Sequence, residues 1–171
     1  MRPSDDTRIR RATTQDAEAV AAILNESILK RDATMLGDPV SAMEMARRIG
    51  GLHEKETILI LEEGGVVRGW GIVRFYSDRL GYARTCETSV FVRREHTGRG
   101  LGSRIQRALL EAARTADFHH VVARIWTANQ RSIAMHAKLG FTVVGTQRDV
   151  GYMDGSWIDV TIMQCLLETE R

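Results

Sequence analysis

The chain has 171 residues and a mass of 19.2 kDa, the size of one domain, and we expect residues 1–171 to fold around a single core. Its 24 basic and 22 acidic residues leave a net charge of +2, and the charges are interspersed along the chain. This pattern argues against a nucleic-acid-binding protein, which needs a basic footprint, and against a polybasic membrane-surface protein. We therefore expect a small-molecule partner.

The cysteines and the N-terminus indicate the cellular compartment. Cys86 and Cys165 lie far apart, without a Cys-x-x-Cys motif or a His/Cys cluster, so we expect two reduced thiols and no metal site. Residues 1–6 lack the apolar core of a signal peptide, and no segment approaches the roughly 18 apolar residues of a membrane span. We expect a cytoplasmic protein.

The first third of the chain predicts a strand, two helices and a loop between the helices. A short strand at residues 9–12 precedes a helix that begins at Thr13 or Thr14 and continues to about Lys30. Residues 31–39 lack periodicity and contain Gly-Asp-Pro, which predicts a loop, and a second helix covers about 41–50. Asn25 is a polar residue in the first helix, and its default interpretation is a solvated side chain.

The next segment predicts a hairpin followed by a polar and aromatic connection. Apolar runs at residues 57–62 and 66–76 flank Glu-Gly-Gly, which predicts two antiparallel strands. The connection to the following strand contains aromatic and arginine side chains: Phe75, Tyr76, Arg79 and Tyr82. These side chains either cover the edge of the core or line a binding site.

A buried strand that begins near Cys86 leads into a glycine-rich turn, and the turn opens a helix at about residues 103–116. Gly98, Gly100 and Gly102 allow positive φ and remove Cβ atoms, while the first N–H groups of a helix lack internal partners. An anion such as phosphate fits there, and Arg99 adds positive charge. A plain tight turn is the alternative. The spacing matches neither the dinucleotide fingerprint nor the mononucleotide P-loop.

Residues 97–102, Thr-Gly-Arg-Gly-Leu-Gly, resemble the pyrophosphate loop of the GNAT acyl-CoA N-acetyltransferases, usually written Gln/Arg-x-x-Gly-x-Gly/Ala. Thr97 stands where the family usually has Gln or Arg. The resemblance implies a mixed α/β (α+β) fold with a mostly antiparallel twisted sheet, helices on both faces, and acetyl-CoA as cosubstrate. It further implies that main-chain groups bind the pyrophosphate and pair with the pantetheine arm as an added strand would. The implied cofactor-binding residues are Val90, Phe91, Val92, Thr97, Gly98, Arg99, Gly100, Leu101, Gly102, Ser103, Asn129 and Ser132.

The last third of the chain predicts a strand, a helix and a terminal hairpin. His119 and His120 open a strand that runs to Trp126, and because neighbouring residues point to opposite faces they cannot share a metal. Residues 129–141, a helix ended by Gly140 and followed by phenylalanine, are a second resemblance to GNAT proteins, whose last cofactor-contacting helix carries Asn and ends in Gly-Phe or Gly-Tyr. Two further strands flank an Asp-Gly turn at 154–155.

Several motifs resemble one GNAT branch, the phosphinothricin and methionine-sulfoximine acetyltransferases, which act on the α-amine of amino-acid analogues. They are the opening run around Asn25, the connection at 79–87, and Gly-x-Trp-x-Asp-x-x-x-Met-Gln at 155–164. The resemblance implies a homodimer and an acceptor site lined by Phe75, Arg79, Tyr82 and Thr85. Arg79 is the candidate for pairing with an acceptor carboxylate. Met35 replaces the branch's usual aromatic residue and the second helix lacks its tryptophan, so the acceptor stays open.

The resemblance implies direct acetyl transfer to a primary amine, which is mostly protonated at pH 7 and needs a base. Glu87 is our candidate, because the branch carries a glutamate at this place and a carboxylate in a covered sheet is costly. A hydrogen-bonded structural glutamate is the alternative. His136 stands where many GNAT proteins have a tyrosine beside the leaving thiolate, so it is either a proton donor or a satisfied helix histidine. Asn129 either contacts the pantetheine or caps its helix.

The sequence therefore predicts an acetyl-CoA-dependent N-acetyltransferase with phosphinothricin-type or methionine-sulfoximine-type acceptors. One alternative is an acetyltransferase for another small amine, including an antibiotic or a peptide N-terminus. A second is a non-catalytic acyl-CoA-binding module that regulates a partner. A third, a nucleotide-phosphate binder, is weakened because Gly-Lys-Ser/Thr is absent.

Overall fold

The computed structural model describes residues 7–168, which form one seven-stranded sheet with helices on both faces. The strands are β1 (Thr7–Arg11), β2 (Thr57–Glu63), β3 (Val66–Phe75), β4 (Thr85–Val92), β5 (His120–Trp126), β6 (Thr142–Met153) and β7 (Ser156–Leu166). The helices are α1 (Ala17–Lys30), α2 (Ala42–Gly50), α3 (Leu101–Thr115) and α4 (Gln130–Lys138). The strand order is β1-β2-β3-β4-β5-β7-β6, and β4 with β5 is the one parallel pair among these strands. The predicted fold class is confirmed.

Two apolar clusters lie on opposite faces of the sheet. The α1 and α2 side chains pack with Ile58, Ile60 and Trp70 on one face. The α3 side chains pack with Val73 and other buried strand residues on the opposite face. Strands β2, β3 and β4 contribute side chains to both clusters, since successive side chains of a strand point to opposite faces.

Helix α3 lies unusually close to β3 because that strand carries two glycines at the contact. A Cβ atom at Gly71 would stand 2.7 Å from Leu109 Cδ1 and 2.9 Å from Ile105 Cγ2, and one at Gly69 would stand 2.9 Å from Ile105 Cδ1. Any larger residue would push the helix outward. The middle of α3 is thereby held against the sheet.

The structure also bears on the expectations about the cysteines, metal sites and membrane spans. Cys86 is buried and Cys165 half-buried, and both are free; burial raises the pKa of the Cys86 thiol to about 12. Within residues 7–168, no cluster of three His, Cys, Asp or Glu side chains could hold a metal ion, and no helix in that range is long and apolar enough to cross a membrane. Residues 1–6, on which the expectation of no signal peptide rests, lie outside the described range.

Candidate active site

The glycine turn forms an N–H cradle at the start of α3. Gly98 has φ +87° and Gly100 has φ +79°, both in the left-handed region that favours glycine. Gly100 is the N-cap of α3 and contributes no capping side chain, so the first helical N–H groups have no side-chain acceptor there. The Thr97 hydroxyl donates instead to the Arg94 carbonyl at 2.8 Å. The cradle is therefore built from main chain and open to an anion.

Two arginines lie beside this cradle, and only one of them is paired with a carboxylate among the described residues. The Arg99 guanidinium forms a two-pronged ion pair with Glu63, at 3.0 and 3.1 Å, so its charge is already compensated. Arg131, in the first turn of α4, lies over the turn: a Cβ atom at Gly98 would stand 2.9 Å from its Nη2. Among the described residues no carboxylate lies within ion-pair distance of Arg131. Arg131 thus supplies a free positive charge that the sequence alone did not indicate.

Strands β4 and β5 part and leave a slot in the sheet. Antiparallel pairing with β3 runs along β4 from Cys86 to Val92, whereas parallel pairing with β5 covers only Thr85 to Glu87. Beyond Glu87, the edge of β4 that faces β5 has no strand partner in the described part of the chain. An extended ligand can bind such an edge through main-chain hydrogen bonds. Val90, Phe91 and Val92, the predicted pantetheine-binding residues, lie on this edge.

Helix α4 lies beside the same slot, on the face of the sheet that α3 covers. A Cβ atom at Gly102 would stand 3.2 Å from Met135 Sδ and within 4 Å of Val90 and Val92 side chains, so α3, α4 and β4 meet there. Asn129 Oδ1 accepts a hydrogen bond from the Ser132 N–H at 3.1 Å and caps α4. The capping interpretation of Asn129 is confirmed, and its contact with a cofactor stays a prediction.

A cavity of about 660 Å³ opens on the opposite face of the sheet, within the range of small-molecule sites. Its floor consists of cross-strand neighbours of β3 and β4, namely Trp70 with Phe91, Ile72 with Ser89, and Arg74 with Glu87. The end of β5 and the middle of β6 and β7, together with α1, α2 and the loop between those helices, form its walls. The alternation predicted for β4, with Glu87, Ser89 and Phe91 on one face, is confirmed.

Glu87 lies at the point where the slot and the cavity meet. Its side chain is only 6% exposed, and it is paired with Arg74 on β3 and Arg124 on β5. Arg74 Nη2 donates to Oε1 at 3.0 Å, Arg124 Nε donates to Oε1 at 3.2 Å, and Arg124 Nη2 donates to Oε2. These bonds compensate the burial of the carboxylate charge, and Glu87 in turn raises the pKa of the Arg124 guanidinium.

Asn25 closes one wall of the cavity by holding the loop between α1 and α2. Its side-chain nitrogen donates to the Val40 carbonyl at 2.9 Å, and its oxygen accepts from the Val40 N–H at 2.8 Å. The interpretation of Asn25 as a solvated residue is therefore wrong. Met35, in the same loop, lines the cavity and sits against Gly151 of β6, where a Cβ atom would stand 2.8 Å from its sulfur.

His136 does not reach the cavity that Glu87 lines. It is 4% exposed, packs edge-on against Phe141, and donates from Nδ1 to the Ser132 carbonyl at 2.8 Å. Burial lowers the pKa of the imidazole, which keeps the ring neutral near pH 7, and its one N–H is then used within α4. The arrangement favours the satisfied helix histidine over the proton donor.

The predicted acceptor residues lie apart from Glu87. Arg79 and Phe75 line a second, smaller pocket, and Phe75 packs edge-on against Phe118. Tyr82 packs against Tyr76, and Thr85 is half-buried at the start of β4. None of the four predicted side chains lines the larger cavity. Arg79 is therefore not positioned to pair with a carboxylate held beside Glu87. This correction arises because Phe75 points to the α3 face of the sheet and β3 ends there, so the chain that follows lines the second pocket.

Arg74 and Arg124 are the charged residues that sequence reasoning missed at this site. Alternation along β3 puts Trp70, Ile72 and Arg74 on the cavity face, which was a usable signal for Arg74. Arg124 carries no such signal, because its proximity to Glu87 depends on the parallel pairing of two strands far apart in the chain.

Comparison with known proteins supports the family resemblance that the sequence motifs indicate. Residues 9–162 match the family model described as the acetyltransferase (GNAT) domain. The chain is 35% identical over 165 residues to the L-amino acid N-acyltransferase MnaT of Escherichia coli K12, covering 94% of each chain. It is also 35% identical over 165 residues to the L-methionine sulfoximine/L-methionine sulfone acetyltransferase of Salmonella typhimurium, again covering 94% of each. The structure resembles that of a phosphinothricin acetyltransferase from Sinorhizobium meliloti in complex with acetyl-CoA, with a TM-score of 0.89, 29% identity, and coverage of 94% and 88%.

Proposed function

Because the chain belongs to the GNAT family of acetyl-CoA-dependent N-acetyltransferases, we propose that it acetylates the α-amine of a small amino-acid-like acceptor, with Glu87 as the base. The acceptor class is supported by relatives whose names specify L-amino acids and methionine sulfoximine. It is also supported by a cavity of about 660 Å³, which is large enough for an amino-acid-like molecule.

The residues present fit acetyl-CoA, whose thioester supplies the activated acetyl group when it is bound. The main-chain N–H groups at Gly98 and Gly100 suit a diphosphate, and Arg131 adds uncompensated positive charge. The unpaired edge of β4 at residues 88–92 suits an extended amide-bearing chain. A cofactor bound along both features would run along the slot toward Glu87, where β4 and β5 part.

The observation that carries the proposal is the position of Glu87 at the point where β4 and β5 part. Glu87 is the last β4 residue paired with β5, and its side chain faces the cavity rather than the α3 face. Three hydrogen bonds from arginines leave one of its roughly four acceptor positions open. An ammonium group in the cavity has that position as its hydrogen-bond acceptor, and Glu87 takes its proton, directly or through a water molecule, before the amine attacks.

We infer no chemical role for His136, because its N–H is used on Ser132 and it lies outside the cavity lining. The departing thiolate is then protonated by another group or by solvent. His136→Gln should accordingly lower the free energy of unfolding and leave kcat close to the wild-type value.

The proposal is tested by thiol release from acetyl-CoA with a panel of free amino acids, their sulfoximine and phosphinate analogues, and short peptides. We expect turnover with amino-acid-like acceptors, and Glu87→Gln should lower kcat by roughly 10² to 10⁴ and shift the pH–rate profile to higher pH. An unchanged pH–rate profile would remove Glu87 from the chemistry. Binding of CoA without turnover on any amine would indicate the regulatory module instead.

The protein contains a matched control for that variant. Glu62, on β2, is also a buried carboxylate between two arginines, Arg8 and Arg10, at 3.0 and 2.5 Å. It does not line the cavity. Glu62→Gln should therefore cost stability while leaving acetyl transfer intact, which separates loss of a buried charge from loss of the base.

The homodimer that the resemblance implies is also a proposal. Strand β6 ends the sheet, and its edge away from β7 has no partner in the described chain. Val143, Val144, Val150 and Tyr152 on β6 are exposed apolar side chains. An edge of this kind supports pairing with a second copy, and light scattering coupled to size exclusion measures the mass. The cytoplasmic location stays a prediction.

A further inference from the structure

The cluster of Arg74, Glu87 and Arg124 carries more positive than negative charge. Its two guanidinium groups share one carboxylate, the two arginine side chains are 47% and 49% exposed, and both residues line the cavity. Among the described residues, the other charged ones that line the cavity are Arg48 and Glu56, which balance each other in sign. One positive charge is thus left over in a cavity whose remaining lining is mainly apolar.

A second cluster, away from the cavity, has equal numbers of positive and negative charges. This remote cluster consists of Arg8, Arg10, Glu62 and Asp16. Arg8 and Arg10 share Glu62, but Arg10 also forms a two-pronged ion pair with Asp16, with both distances 2.8 Å. Two arginines there meet two carboxylates. The cluster in the cavity lacks the second carboxylate among the described residues.

Unpaired donors in the same cavity indicate an acceptor-rich ligand. The indole Nε1 atoms of Trp70 and Trp126 are buried without a hydrogen-bond partner in the described chain, and both residues line the cavity. Most N–H donors of Arg74 and Arg124 also have no hydrogen-bond partner among residues 7–168. Buried polar groups normally have partners, so the cavity is complementary to a group that only accepts hydrogen bonds.

We propose that Arg74 and Arg124 bind the α-carboxylate of the acceptor while Glu87, between them, binds its α-ammonium group. This inference rests on the proposed function and makes the two arginines specificity-determining residues for it. An alternating Arg–Glu–Arg row matches a zwitterion, because the carboxylate can take two-pronged hydrogen bonds from guanidinium and the ammonium ion takes the open position on Glu87. The enzyme then requires an acceptor with a free α-carboxylate and rejects its amide, which leaves the extra positive charge uncompensated.

The test compares L-methionine sulfone with its α-amide by kcat/KM in the thiol-release assay. The amide has the more easily deprotonated amine, so its intrinsic reactivity works against the expected preference. We expect the wild-type enzyme to favour the free acid by about 10- to 100-fold, the range of a hydrogen-bonded charge pair. Arg74→Gln and Arg124→Gln should each reduce that ratio, mainly through the KM of the acid, and the double variant should bring it close to one.

Arg8→Gln is the matched control, because it removes one arginine from the remote cluster and should leave the acid-to-amide ratio at its wild-type value. Arg74→Lys keeps the charge without the planar guanidinium and should restore part of the ratio. If the two arginines only neutralise Glu87, their variants will lower activity on acid and amide equally. That result, or a wild-type enzyme that uses both acceptors equally well, overturns the proposal.

Calorimetry keeps this inference distinct from the proposed function. L-methionine sulfone is titrated into enzyme saturated with CoA, where no transfer occurs. Binding that weakens at least tenfold in Arg74→Gln and Arg124→Gln, but not in Arg8→Gln, supports carboxylate recognition even if turnover fails on every amine. Equal affinity of all four proteins for the acid refutes it.

Discussion

Replacing Gly100 by alanine separates the folding role of the glycine turn from its binding role. Gly100 has φ +79°, and a Cβ atom there would meet no atom of the described residues within 4 Å. The substitution therefore strains the backbone without a clash, at a cost of about 1–2 kcal/mol in the free energy of unfolding. If the first N–H groups of α3 bind the diphosphate, the added Cβ and any backbone shift also cost one charge-assisted hydrogen bond, about 1.5–3 kcal/mol, or roughly 10- to 100-fold in Kd.

Gly155 provides the control, because it also has φ +79° and open space around its missing Cβ, but it lies in the turn between β6 and β7. Urea unfolding should give similar stability losses for Gly100→Ala and Gly155→Ala. Calorimetric titration with acetyl-CoA should show weaker binding for Gly100→Ala alone. The reasoning fails if Gly100→Ala binds acetyl-CoA as tightly as the wild type, or if both variants lose affinity equally.

Three further outcomes follow from the contacts. Arg131→Ala should weaken acetyl-CoA binding about tenfold and Arg99→Ala less than threefold, since Arg99 is already paired with Glu63; equal effects in calorimetry would contradict the charge balance at the turn. Pairing with Arg10 lowers the pKa of Asp16 from 3.8 to about 2. Asp16→Asn should therefore cost about 1–2 kcal/mol at pH 7, after allowance for solvent screening, and urea unfolding should show this difference narrowing as the pH falls from 4 toward 2. Asn25→Ala should lower the affinity for the acceptor more than the affinity for acetyl-CoA, because the Asn25 side chain holds the cavity loop at Val40. Calorimetry with each ligand in turn measures the two affinities, and equal losses would contradict this expectation.

The sign of the Asp16 effect follows from linkage. A carboxyl group whose pKa is lower in the folded state binds protons less readily there than in the unfolded chain. Its contribution is complete above the unfolded pKa and disappears as the pH falls through the folded value. A difference between wild type and Asp16→Asn that grew on acidification would therefore contradict the assignment.

Features that depend on short stretches of chain were predictable from the sequence. The glycine turn before α3, the Gly140 that ends α4 at φ +90°, and the Asp-Gly turn between β6 and β7 are all set by local backbone preferences. The alternation along β4 likewise gave the face on which Glu87 lies, because side chains of a strand change face at every residue. The family resemblance added the cofactor and the fold, and the comparisons confirm both.

Features that depend on which strand lies beside which were not predictable. Arg74 stands opposite Glu87 through the β3–β4 register, and Arg124 reaches it from a strand 37 residues further along the chain. Arg131 comes to Gly98 through the packing of α4 beside α3, and Asn25 meets Val40 through the return of a loop. Local periodicity determines the face of an element on which a side chain lies. The neighbour that it meets is decided by register and packing between elements distant in sequence. For this protein, that is why Arg74 and Arg124, which we propose as the carboxylate-binding residues, lie beside Glu87 and Arg79 does not.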